Sequence, residues 1–187
     1  VRSYFDSLKP DKNVAITQLG FAERATKLPE RSVFIFDKPI ATQTQVSMSC
    51  QIAANDHLRD RPKTNVVSDT LSEMIWRTLR EEAGVTYGAC AYDQIWEGGT
   101  AMLGMQSLVQ NDAVGFSVKA MLETVDKGFK GDVRTAGIAD AKVKTAREFV
   151  LGQQSGDQML NRLSGIGIQN FGYFDEMSGI LAAVSVD

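Results

Sequence analysis

Apolar and polar residues change their spacing several times along this chain, and each change marks an element. Val1, Tyr4, Phe5 and Leu8 share one side of a short helix over Val1–Lys9, stopped by Pro10, which lacks the N–H a helix needs. Val14, Ile16 and Leu19 follow at strand spacing. Ser32–Phe36 is β-branched and aromatic and closes at Asp37-Lys38-Pro39, the signature of a strand and its turn. From Gln45 to Ala53 the alternation is strict. Val46, Met48, Cys50 and Ile52 fall on one face and Gln45, Ser47, Ser49 and Gln51 on the other, as in a strand with one face buried.

Asn55–Lys63, with His57, Arg59, Arg61 and Pro62, reads as a polar connection. The period then becomes helical: Val67, Leu71, Met74, Ile75, Thr78 and Leu79 predict a helix over Asn65–Glu82, with Glu73 and Arg77 one turn apart as a surface ion pair. Gly84 suits the left-handed position just past its end. Val85–Trp96 and Thr100–Val109 read as strands joined at Gly98-Gly99, a hairpin. Beyond it, Val114, Val118, Met121, Leu122, Val125 and Phe129 form a helical stripe ending near Gly128–Gly131. Ile138, Ala141, Thr145, Phe149 and Val150 form a second, and Met159, Leu160, Leu163 and Ile166 a third, shorter one. A last segment over Tyr173–Ala183 leads into Val184–Asp187. Strands, helix, hairpin and helices in that order predict an α+β domain, its mainly antiparallel or mixed sheet covered by helices on one face.

Composition narrows the chemistry. At 187 residues, 43% hydrophobic and 23% charged, the chain is expected to be one folded domain spanning 1–187. A net charge of -3 with dispersed Lys and Arg gives no footprint for nucleic acid, and no apolar run is long enough for a membrane-spanning helix. With His57 as the only histidine, the two-imidazole helix of a zinc peptidase cannot be assembled from this chain. Cys50 and Cys90, far apart and both in strand-like sequence, read as buried free thiols. The methionines at 48, 74, 102, 105 and 121 follow core periodicities, and Trp76, Tyr92 and Trp96 read as packing or interface residues. Gly165–Gly167 is too weak a pattern for a phosphate loop. The chain opens at Val1 without an initiator Met or signal pattern, so it reads as a fragment of a longer chain. Any targeting segment is expected upstream, which leaves periplasm and cytoplasm both open.

One segment carries more. Leu79-Arg80-Glu81-Glu82-Ala83-Gly84-Val85-Thr86-Tyr87-Gly88 leaves the long helix for a strand and resembles the L-R-E-x-x-G-x-x-Y-[SG] signature of the pitrilysin/insulinase family of zinc metallopeptidases, in its C-terminal, non-zinc-binding domain. Further similarity runs through Val1–Leu8, which looks like the linker entering that domain and implies 1–12 as the linker here, Lys38-Pro39 with Gln43 and Val46, Phe149–Gly152 with Asn161-Arg162-Leu163, and Ala183–Asp187, after which the family normally has a final helix. The chain departs from the family at Asn65-Val66-Val67, where many members have a Gly-Gly turn, and at Met74, where many have Arg.

The resemblance implies the non-catalytic half of a zinc-dependent endopeptidase. Arg80 and Tyr87 would contact substrate carbonyls, and no cofactor would be bound by this chain. Zinc would come from a homologous domain or subunit, the partner with which this half closes a peptide chamber. The residues suit that role: Arg80 stands where the helix dipole favours a cation and offers a forked donor, and a preorganised phenol can stabilise a developing oxyanion by ~3 to 4 kcal/mol. Taken singly, an Arg there is also accounted for by an ion pair with Glu81 or Glu82, and Tyr87 by a place in the sheet. The same family fold also occurs in proteolytically inactive structural or binding subunits, the alternative reading.

Overall fold

The computed structural model describes residues 31–53, 57–96, 100–169, 180 and 182. The expected helix over 1–9, the strand near 14–19, the Gly98-Gly99 turn and most of 173–183 lie outside the described residues.

Three strands form an antiparallel sheet in the order β1-β3-β2: β1 (Gln43–Ala53), β2 (Thr86–Trp96) and β3 (Thr100–Gln110). β3 is central, pairing Met48 with Met105 on one side and Ala91 with Met105 on the other. The hairpin expected from the sequence is therefore present. So is the alternation in β1, whose inward residues Val46, Met48 and Ile52 pack toward the core.

Helix α1 (His57–Trp76) continues into a π-helical turn, Arg77–Glu82, and lies across the sheet. Its Leu71, Ile75 and Leu79 meet Val46, Ala89, Leu103, Met105 and Val109 from the strands. Helix α2 (Val114–Lys130) closes the same core with Ala120 and Met121. Helix α3 (Thr135–Gly152) packs on α1 through Ala141, Ile138 and Val66, and α4 (Gly156–Gln169) follows. Among the described residues, the core contacts between helices and sheet fall on one sheet face, as expected for this α+β arrangement.

Several expectations are corrected. The segment Asn55–Lys63 is not a connection from His57 onward: α1 begins there and carries a buried Pro62 inside it. Pro62 deprives only the Leu58 carbonyl of its helical donor, and the next turns are anchored to the sheet. The Thr64 and Ser68 hydroxyls each donate to the Asp93 carboxylate on β2 at 2.8 Å, with the Asn65 amide beside them. Ser32–Phe36 forms no strand, and Val33, Phe34, Ile35 and Phe36 are at least 79% exposed. β-Propensity yields a strand only where a neighbouring ladder exists, and none reaches this segment among the described residues.

The buried side of α2 is also shifted from the expected stripe, because Val118, Leu122 and Phe129 are exposed while Ser117, Ala120, Met121 and Thr124 are buried. The Ser117 and Thr124 hydroxyls donate to the carbonyls of Ala113 and Ala120 at 2.9 and 2.8 Å, so these small polar groups enter the core already satisfied. In α3, Val150 is exposed. Cys50 and Cys90 are both free and exposed, not core thiols. Cys90 points away from the helices, opposite Gln106. Cys50 has the helix-facing phase of β1 and is nevertheless exposed, and partial desolvation still pushes its thiol pKa up.

An exposed ion pair ties α3 to α1, with Lys144 Nζ 2.5 Å from Asp69 Oδ1. The Asp69 hydrogen bond raises the Lys144 pKa, desolvation opposing it. A raised folded-state pKa contributes stability that is fully present below the unfolded lysine value and is lost as pH rises through the folded value. Urea unfolding at pH 8 should find Lys144→Met less stable than wild type, and the gap should close above the lysine range. A gap that persists there would assign the effect to packing.

Candidate functional site at the end of the long helix

The helix-to-strand exit is built from several local irregularities. Through Arg77–Glu82 the backbone bonds widen, and Ala83 N–H donates to Thr78 O at 3.2 Å. Such π-turns are frequent at functional sites. Gly84 then adopts φ +65°, a left-handed backbone that costs an L side chain energy, and Val85 N–H closes back on Leu79 O at 3.0 Å. The expected role of Gly84 is thus confirmed. Arg77 is paired with Glu73, as the sequence spacing predicts, and Arg134 joins the same carboxylate at 3.2 Å.

β2 opens with a bulge. Thr86 pairs with Val109 and Ala89 with Ser107, leaving Tyr87 and Gly88 opposite Leu108 alone. Two buried hydroxyls staple this irregularity. Thr86 Oγ1 donates to Leu108 O at 2.6 Å and accepts from Gly88 N–H at 3.0 Å, while Ser107 Oγ donates to Gly88 O at 2.9 Å. The sequence reading missed Thr86 and Ser107. Their signal was a hydroxyl at an inward position of each strand, beside the tyrosine of the motif.

Arg80 and Tyr87 meet across this junction. The guanidinium carbon of Arg80 stands 5.1 Å from the Tyr87 ring centroid, and its Nη1 donates to Thr86 O at 3.2 Å. One edge of the guanidinium is thereby fixed to the bulge, leaving other N–H groups of its fork outside that bond. The Tyr87 side chain is 81% exposed, with its phenol open to solvent. Glu81 pairs with Arg77 at 3.8 Å, so the ion-pair explanation for Arg80 does not apply to that neighbour.

The remaining candidates separate from this pair. Met74 is half-buried against the core, and Trp76 is partly exposed near Gly88. Tyr92 lies over Gly104, where an added Cβ would fall 2.4 Å from the ring, so the pair needs glycine. His57 starts α1, and its side chain and that of Trp96 lie outside the described residues. Gly165–Gly167 belongs to α4 and makes no phosphate loop. Among the described residues no group of three or more His, Cys, Asp or Glu is placed to hold a metal ion, and no helix is long and apolar enough to cross a membrane. A small cavity of about 170 Å³ lies between α1 and α3, lined by residues including Arg61, Thr145 and Phe149; it does not include Arg80 or Tyr87.

No family model matches the sequence, and no curated protein matches it. Solved structures do. The fold is one shared with M16 peptidase structures. The chain is similar to a peptidase M16 inactive domain from Pseudomonas fluorescens, with a TM-score of 0.62 at 14% identity, over 76% of this chain and 35% of that one. It is similar to the periplasmic protease PqqL of Escherichia coli (TM-score 0.60, 15% identity, 78% of this chain and 16% of that). A protease from Helicobacter pylori gives a TM-score of 0.62 at 15% identity, over 80% of this chain and 37% of that one. The chain thus spans between 16% and 37% of the lengths of these proteins.

Proposed function

We propose that this chain is the non-catalytic half of a zinc-dependent endopeptidase. It closes a peptide chamber and presents Arg80 and Tyr87 to substrate carbonyls, while zinc and the water-activating carboxylate belong to a partner domain or subunit. The observation that carries this reading is the preorganised, exposed Arg80–Tyr87 pair at the end of α1, on a fold shared with M16 inactive domains. Both groups are donors. A guanidinium and a phenol held side by side suit peptide carbonyl oxygens and the negative charge one acquires when water attacks. Their separation from metal chemistry fits a division of labour in which one half holds the peptide and the other activates water.

The test is reconstitution. The chain alone, dialysed against zinc and analysed for metal, is expected to retain no stoichiometric ion and to cleave no peptide. Combined with its zinc-bearing half, covalently linked or separate, it is expected to restore zinc-dependent cleavage. Zinc-dependent proteolysis by the chain alone would overturn the reading. If the partner half binds zinc and this chain adds nothing, the proteolytically inactive scaffold reading takes its place.

A further inference from the structure

Among the described residues, the sheet face turned away from the helices is unusual in its charge. Every outward position of β1, from Gln43 to Gln51, is Gln or Ser. Along β3, from Met102 to Gln110, the outward residues are Met, Gly, Gln, Leu and Gln; along β2, from Gly88 to Gln94, they are Gly, Cys, Tyr and Gln. A chain that is 23% charged would place several charges on so many positions, and none of these described positions is charged. The helix-facing side, by contrast, includes Asp93. Exposed antiparallel sheets ordinarily carry charges for solubility and to discourage pairing with other chains.

What stands in their place is a particular chemistry. Gln45, Ser47, Gln94 and Gln106 are exposed, and each carries both donor and acceptor, as the peptide group does. Between them runs an apolar strip in which Tyr92 lies over Gly104 and Leu108 is 49% exposed. Leu108 is also the residue opposite Tyr87 and Gly88, so the face is continuous with the Arg80–Tyr87 site.

We propose that this face is a charge-selective wall of the peptide path, and that it docks an extended segment of substrate bearing uncharged side chains. The inference rests on the peptidase reading above and names its substrate class. Neutral side chains lose little on leaving water for the apolar strip, and the peptide backbone exchanges water for amide and hydroxyl partners. A lysine or glutamate brought to the same place is desolvated without a counter-ion.

The assembled enzyme tests this with three peptides that share one cleavage site and differ in a flanking segment that is neutral, Lys-rich or Glu-rich. Wild type is expected to favour the neutral peptide over both charged ones by about tenfold in kcat/KM. Gln106→Lys should raise the Glu-to-Lys peptide ratio, and Gln106→Glu lower it, each by about fivefold, the size of one close charge pair near water. Ser47→Lys and Ser47→Glu, at a second exposed site, should repeat the pattern. Equal cleavage of all three peptides by wild type, or ratios indifferent to the sign of the introduced charge, would overturn the inference. If Tyr87→Phe still lowers turnover in that case, only the wall is lost; if it too has no effect, the underlying peptidase reading fails.

Discussion

Tyr87→Phe is expected to lower turnover of the assembled enzyme by about 100-fold or more, with bound zinc unchanged. The substitution removes one oxygen from a side chain that is almost entirely exposed, so neither packing nor fold gives it another way to act. A donor aimed at developing charge matters more in the transition state than in the bound substrate, so kcat should fall while KM moves little. Arg80→Ala should cost about tenfold, divided between KM and kcat, because it removes the proposed carbonyl contact and also the cation resting on the Tyr87 ring. Thr86→Val supplies an independent arm: the shape is kept, but the hydroxyl that holds the bulge to Leu108 and Gly88 is gone. It should lower kcat about tenfold, and Thr86→Ser should restore it, which a purely steric role for Thr86 would not predict. Steady-state kinetics with metal analysis on each variant decides the matter. Unchanged kinetics for both Tyr87→Phe and Arg80→Ala would remove the gripping role.

How much of this could be read from the sequence depends on which forces set each feature. Strictly local rules were legible. The Gln45–Ala53 alternation follows from the strand period, Gly84 from the left-handed turn it must make, and the Glu73–Arg77 pair from helical spacing. Features decided by tertiary contact were not. Pro62 and its polar neighbours look like a loop until Asp93 is brought beside Thr64 and Ser68. Cys50 keeps the inward phase of its strand and is still exposed, because strand phase alone does not set burial. α2 buries Ser117, Ala120 and Thr124 beside Met121 and leaves Val118, Leu122 and Phe129 exposed, since close helix–sheet approach favours small residues once the hydroxyls are satisfied within the helix. Of the site, Arg80 and Tyr87 were legible through a motif. The two hydroxyls that pose them were not, because the bulge exists only when β2 and β3 pair.

Leu79→Ala should destabilise the chain by about 2–5 kcal/mol, whereas Leu160→Ala should stay within about 0.5 kcal/mol. Both are leucines on helices, but Leu79 is fully buried and Leu160 is 63% exposed. Truncating Leu79 opens a cavity among Ile75, Val109 and Met105 that this close-packed core can refill only in part. In a chain of this size the loss corresponds to a fall in Tm of roughly 5–15 °C, measurable by circular dichroism or calorimetry. Leu79 also has a second duty, since its carbonyl accepts the Val85 N–H that turns the chain from helix to strand. Loosening its side chain should therefore reach the Arg80–Tyr87 junction before the rest of the sheet. Hydrogen exchange at Val85 and Gly88 should accelerate in Leu79→Ala under conditions that leave β1–β3 amides protected. Acceleration spread evenly over all three strands would show that the junction melts only with the whole core, and that the grip has no local stability of its own to lose.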